Sequence, residues 1–334
     1  MKAVRDTPPE GARPGVQHVT VDAGHAGQRL DNFLLTTLKG VPRTHVYRLL
    51  RKGEVRVNKG RAKPDYRLEE GDVVRLPPVR RGESGGKQLA AQAAASGRLD
   101  WLLDRVLFED EHLLVLDKPA GLAVHGGSGV SVGLIEALRE LRPHTPFLEL
   151  AHRLDRDTSG CLLIAKSRTA LVQLHDLLRE GGLDKRYLAL VAGPWHGGTF
   201  HVDAALETNR PQSGERRVEV GEEGKESASD ITPREKFAES ALVEVRLLTG
   251  RMHQARVHAA HIGHPIAGDD KYGERDFNLR MKRLGLTRLF LHAARLEFRH
   301  PLSGRKMSIK APLPVELERV LEKLRTRPDI PASA

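Results

Sequence analysis

The chain of 334 residues carries 54 Lys and Arg against 44 Asp and Glu, a formal charge of +10, with 39% hydrophobic residues. That length accommodates two domains, one with a substantial core, while the absence of any run of eighteen apolar residues excludes a membrane-spanning helix. A single cysteine, Cys161, excludes an intrachain disulfide and fits a reducing cytoplasm, and the basic balance favours a polyanionic partner without saying which.

Residues 1–16, rich in Pro, Gly and charge, read as a disordered N-terminus. In residues 17–80, Leu30, Phe33, Leu34 and Leu38 follow helical spacing. Val46, Leu49 and Leu50 do so again before Gly53 stops the pattern. Val55 and Val57 then alternate with polar residues, Asn58-Lys59-Gly60 supplies a turn, and Val73 to Leu76 reads as a second extended stretch. The module is helix–helix–hairpin. It concentrates Arg43, Arg48, Arg51, Lys52, Arg56, Lys59, Arg61 and Lys63, opposed by Glu54 alone. A solvated surface is the plain explanation of a charge run, but so one-sided a cluster favours a phosphate-binding face.

Residues 81–99 shift to Gly, Ser, Ala and Gln and read as a flexible linker, with a short Ala-rich helix over 89–95 as the alternative. From 100 to 326 the spacing predicts strands at His112–Asp117, Cys161–Ala165, Tyr187–Val191, Leu242–Leu248 and Leu289–Phe298. Helices are predicted at Leu134–Leu141, Ala170–Arg179, Arg251–Ile262 and Val315–Leu324, leaving 327–334 as a tail. The order does not repeat as βαβ units, so an α+β fold on a mainly antiparallel mixed sheet is expected.

Three segments carry chemistry. His152-Arg153-Leu154-Asp155-Arg156-Asp157-Thr158-Ser159-Gly160 packs charge at the mouth of the apolar run Cys161–Ala165, which is costly unless the charges are paired or used. Arg153 and Arg156 flank Asp155, an arrangement that suits a nucleophile or base and equally suits a structural ion pair. Tyr187 opens a strand beside Lys185 and Arg186, as a core aromatic or as a platform that stacks on a base. If Arg251–Ile262 is one helix, Met252, Ala255, Ala259 and Ile262 form an apolar face, and Arg251, Gln254, His258 and His261 a polar stripe. His253, His258, His261 and His264 lack metal-ligand spacing, and Gly126-Gly127-Ser128-Gly129 lacks the ending of a phosphate-binding loop. Neither a metal nor a nucleotide cofactor is expected.

Residues 28–76, with Gln28-Arg29-Leu30-Asp31 and Gly53-Glu54-Val55-Arg56-Val57-Asn58, resemble the S-four (alpha-L) RNA-binding domain. The segment from His152 to Lys166 resembles the signature of RluA-type pseudouridine synthases. Lys118 to His125, Lys185 to Val191, Leu248 to His258, Gly263 to Asp269 and Leu291 to Ala294 resemble other stretches of that family. The resemblance implies conversion of uridine to pseudouridine without cofactor. It makes Asp155 the catalytic carboxylate, Tyr187 the active-site tyrosine, Arg251 the partner of Asp155, and Arg153 the residue that fills the gap left by a flipped uridine. Removal of a ribose proton to give a glycal is the implied route, with attack on the anomeric carbon or on the uracil ring as alternatives. Within the family the pattern is most similar to enzymes of the large ribosomal subunit. This implies action on several uridines of 23S ribosomal RNA near the peptidyl transferase centre, in free rRNA or in an assembly intermediate of that subunit; a monomer is expected. Other rRNA or tRNA uridines are the alternative targets. Two competing readings are a non-catalytic rRNA-binding assembly protein, and a glycoside hydrolase using Asp155 and Asp157 as an acid–base pair.

Overall fold

The computed structural model describes residues 15–326, apart from residues 23, 39–40, 42, 80–96, 98, 127–132 and 210–216 and the side chain of Arg43. The expected disordered N-terminus, linker, Ala-rich helix, Gly-rich turn and C-terminal tail lie wholly or mostly outside the described residues. The chain divides into two compact units, parting near residue 89.

In the first unit, β1 (Gln17–Thr20), β2 (Arg56–Val57) and β3 (Val73–Leu76) form an antiparallel sheet in the order β1-β3-β2. Helices α1 (Leu30–Thr37) and α2 (Arg43–Lys52) share its core. The i, i+3, i+4 spacing that predicts the helices buries Leu30, Phe33 and Leu34 of α1 against Val46, Leu49 and Leu50 of α2. Asp31 is buried in the same helix because Arg29 forks onto its carboxylate at 3.1 and 2.9 Å and Tyr47 Oη donates at 3.0 Å. These bonds, the Arg29 fork first, hold its carboxyl below the usual range. Arg48, Arg51, Lys52, Arg56, Lys59, Arg61 and Lys63 are all exposed.

The second unit is built on a ten-stranded sheet. Its strands are β4 (Val106–Glu109), β5 (Leu113–Lys118), β6 (Glu149–Leu150), β7 (Ser159–Ala165), β8 (Asp184–Ala192), β9 (Phe200–Asp203), β12 (Ala228–Lys236), β13 (Ser240–Leu247), β14 (Leu291–Arg299) and β15 (Lys306–Lys310). Strands β10 (Leu206–Asn209) and β11 (Arg217–Val220) make a separate hairpin. The order is β4-β5-β7-β14-β8-β13-β12-β9, with β15 beside β14 and β6 beside β7. Every pair is antiparallel except β7 with β14, so the unit has the α+β class and mixed sheet expected. Where the parallel pair meets, Gly160 has φ +108°, and a Cβ there would run into the carbonyl of Ala293.

Both faces of the sheet are covered, which explains why β5 and β7 are continuously apolar rather than alternating. Leu114, Leu116, Leu162 and Ile164 pack with α3 (Leu134–Leu141) and α5 (Gln254–His261) on one face. Leu113, Val115, Cys161 and Leu163 pack with α4 (Arg168–Arg179) and β15 on the other. Helices α6 (Arg275–Arg283) and α7 (Val315–Thr326) close a further cluster around Phe277, Phe290 and Leu317. Cys161 is a buried hydrophobe whose thiol burial pushes up to about 12, far from a nucleophile. Among the described residues no helix is long and apolar enough to cross a membrane.

Candidate active site

The charged loop between β6 and β7 is fixed from behind. The ammonium of Lys118, at the end of β5, is fully buried and donates to the carbonyls of Pro119, Leu122 and Arg156 at 2.8, 2.8 and 2.9 Å. Gly121 N–H also donates to Arg156 O, and Thr158 N–H to Asp155 O, so the chain turns at Arg156 and Asp157 with Asp155 at the entry to the turn. Burial draws Lys118 down to about 7, against the pull of Asp157 and Asp155. Upstream, His152 Nε2 accepts the Leu163 N–H at 3.1 Å, and its ring is held near 4, chiefly by burial.

The facing wall comes from the segment after β13. Gln254, itself buried, acts as a clamp. Its Oε1 accepts from Thr249 Oγ1 (2.7 Å) and Arg251 N–H (2.9 Å), and its Nε2 donates to Ala228 O and Ser229 Oγ, both at 2.9 Å. His253 precedes the helix in a left-handed conformation, φ 56° and ψ 15°, and α5 begins only at Gln254. One guanidinium in the first turn of α5 then meets the carboxylate of the charged loop: Arg256 Nη1 lies 3.5 Å from Asp155 Oδ2. His253 Nε2 lies 3.8 Å from the same oxygen. Arg256 is anchored by Asp269, whose two oxygens accept from Nε and Nη2 at 2.7 Å each, and its guanidinium stacks 5.0 Å from the centre of the Tyr272 ring.

These walls enclose a cleft of about 510 Å³. Asp155 is the one carboxylate among the described residues that line it, against Arg153, Arg179, Lys185, Arg251 and Arg256. Tyr187 lines it too, with its side chain buried and its phenol pushed upward, by desolvation first and by Asp155 second. Lys185 Nζ donates to Thr249 O at 3.0 Å and ties β8 to the segment after β13.

Asp155, Tyr187, Arg153 and Arg251 therefore converge on one cavity. The expected pairing of Arg251 with Asp155 is corrected: Arg251 Nε donates to Glu226 O at 3.1 Å, and Arg256 is the arginine at the carboxylate. The physical reason is the later helix start. With α5 beginning at Gln254, Arg251 belongs to the preceding loop. The expected polar stripe also fails, because His258 is wholly buried, bonded to Ser227 Oγ and Ala204 O. Spacing along the chain does not single out Arg256, His253, Asp269 or Tyr272. The sequence cue for Arg256 is its place one turn into a helix that begins after, rather than at, the Gly250-Arg251 turn.

Both units of the chain are similar to known proteins. The RNA pseudouridylate synthase family model matches residues 112–261, and the S4 domain model matches residues 28–74. The ribosomal large subunit pseudouridine synthase C of Yersinia pestis is 55% identical over 312 residues, covering 93% of this chain and 97% of that protein. The protein of the same name from Escherichia coli (strain K12) is 54% identical over 314 residues, covering 93% and 98%. Among solved structures, human RNA pseudouridylate synthase domain containing 4 superimposes with a TM-score of 0.58 at 25% identity, covering 72% of this chain and 97% of that one.

Proposed function

This chain belongs to the RNA pseudouridylate synthase family and is an RNA pseudouridine synthase carrying an S4 domain; we propose that it isomerises uridines of 23S rRNA in the large ribosomal subunit, near the peptidyl transferase centre, in the cytoplasm, with Asp155 as the catalytic carboxylate. The relatives' printed names support a large-subunit substrate. The observation that carries the assignment to Asp155 is the charge pattern of the cleft, a single carboxylate ringed by cations that suit a polyanion.

The reaction is an isomerisation. The N1–C1′ bond of uridine breaks, the uracil turns, a C5–C1′ bond forms, the proton on C5 leaves and N1 finishes protonated. No redox partner or energy source enters. A target inside a helix is out of reach, so the uridine swings from its stack into the cleft, where Tyr187 offers an aromatic face and a phenol beside Asp155. Arg153, exposed at the rim, fills the gap left behind. Arg256, gripped by Asp269, orients Asp155 toward the ribose. The seven exposed cations from Arg48 to Lys63 in the S4 domain, with Arg43, supply phosphate contacts. The protein works as a monomer without metal or cofactor, in domains spanning 17–80 and 100–326 joined by the linker 81–99.

The test is twofold. Pseudouridine mapping of 23S rRNA from cells lacking the protein should show specific sites lost, and Asp155→Asn should fail to restore them while binding the RNA with near wild-type affinity. Restoration by Asp155→Asn, or an unchanged 23S map, overturns the reading.

A further inference from the structure

Asp155 Oδ2 is approached from two sides, and the second approach has no part in the reaction outlined above. His253 Nε2 stands 3.8 Å away, longer than a hydrogen bond, on a ring whose other nitrogen lies 2.8 Å from Tyr272 Oη. Tyr272 Oη in turn accepts the Val218 N–H at 3.1 Å. A phenol has one proton to give. With its oxygen already accepting from the backbone, the arrangement that uses every proton has Tyr272 donate to His253 Nδ1. Nδ1 is then an acceptor and Nε2 carries the hydrogen. The other end of the ring requires the same tautomer, because an ionised carboxylate only accepts and a bare Nε2 would oppose lone pair to lone pair.

The backbone adds a separate observation. Among the described residues three non-glycine residues have positive φ: Asn58 and Lys59 in one turn of the S4 domain, and His253. A bulky side chain in the left-handed region is strained, and such strain gathers where a side chain must be aimed. Tyr272 and Asp269 belong to one short segment, with Tyr272 N–H donating to Asp269 Oδ1 at 3.0 Å. That segment therefore backs both groups facing Asp155: Asp269 holds Arg256, and Tyr272 holds His253.

Resting on the assignment of Asp155 as the catalytic carboxylate, we propose that His253 is a positioning residue whose Nε2–H, fixed in that tautomer by Tyr272, closes on Asp155 when the uridine enters and holds the carboxylate in its reactive orientation. Hydrogen bonds in unliganded active sites are often long and shorten in the substrate complex. Burial lowers the His253 ring below the ordinary histidine range, with Asp155 opposing that shift and Arg256 and Lys271 adding to it, so the ring faces the carboxylate as a neutral donor.

Two substitutions in the full-length protein separate this role from a backbone role. His253→Gln places an amide N–H where Nε2 stands, whereas His253→Asn suits the left-handed backbone better but cannot reach. In single-turnover kinetics on a 23S rRNA transcript, H253Q should stay close to wild type. H253N should fall roughly ten- to a hundredfold in rate with RNA affinity unchanged, the range for losing a hydrogen bond to a charged group. Nitrogen-15 spectra of the histidine rings should show Nε2 protonated in wild type and a mixed tautomer in Tyr272→Phe. An H253N rate equal to or above that of H253Q, or a ring protonated at Nδ1 in wild type, overturns the inference. Asp155→Asn is assayed in parallel: activity in that variant sinks the assignment of Asp155 itself, whereas an inactive D155N beside a fully active H253N sinks only the role of His253.

Discussion

Arg256 presents a single nitrogen to Asp155, 3.5 Å away, because Asp269 has taken Nε and Nη2 in a two-point grip. Asp269 is itself sealed, its side chain wholly buried and its Oδ1 also accepting from the N–H groups of Lys271 and Tyr272. The guanidinium cannot swing, so the direction from which Asp155 meets positive charge is set before RNA arrives.

Arg256→Lys should therefore be far more damaging than its conservation of charge implies. A lysine keeps one cation but loses the fork on Asp269 and the stacking on Tyr272. The expected outcome is a fall of about 100-fold or more in single-turnover rate with RNA affinity within a few-fold of wild type. A lysine variant with near-normal rate would remove Arg256 from the mechanism.

Arg251→Ala should behave differently. This side chain caps Glu226 O at the cleft rim and makes no ion pair with Asp155. Its loss should weaken RNA binding by roughly 1 kcal/mol or less while the bound-state rate stays within a few-fold. Titration of labelled rRNA alongside single-turnover assays distinguishes this from a loss confined to rate.

In the S4 domain, Arg51→Ala with Lys52→Ala removes two exposed cations at the end of α2 without disturbing its core. The slope of log affinity against log salt should shrink by about one for each phosphate that the variant no longer neutralises. An unchanged slope means this end of α2 does not face the RNA.

Acid should destabilise the catalytic unit through His292. Its Nδ1 pairs with Ser159 Oγ at 2.9 Å and its Nε2 with Ala311 O at 3.3 Å, and burial holds the ring near 4. A depressed folded value means the unfolded chain takes up the proton first. The stabilising contribution is then whole above the ordinary value near 6.5 and lost as pH falls toward 4, to the extent of about 3 kcal/mol. Urea unfolding between pH 7 and 4 should show that decline, and His292→Gln should reduce it in part, since the buried ring of His152, also held near 4, contributes in the same direction.

The apolar runs of β5, β7, β8 and β13 and the helical spacing of α1, α2 and α3 are legible in the sequence, because each element carries its own buried residues. Strand β12, which holds Pro233 and Glu235, and helix α6, which is crowded with arginine and lysine, are not. Their structure depends on neighbours: β13 and β9 for the strand, and a few buried side chains such as Phe277 for the helix. Asp155 stands out for a local reason too, a dense charge at the mouth of a core strand.

Which arginine answers Asp155 is a different kind of question. Arg251 and Arg256 are equally available to inspection along the chain, and both line the cleft. The choice depends on Gln254 bonding to Ala228 and Ser229 on β12, which delays the start of α5, and on Asp269 arriving to hold Arg256. Local composition wrote the elements and the carboxylate. Contacts between residues distant in the chain decided the partner, since hydrogen-bond direction and ion-pair geometry exist only once the walls of the cleft have met.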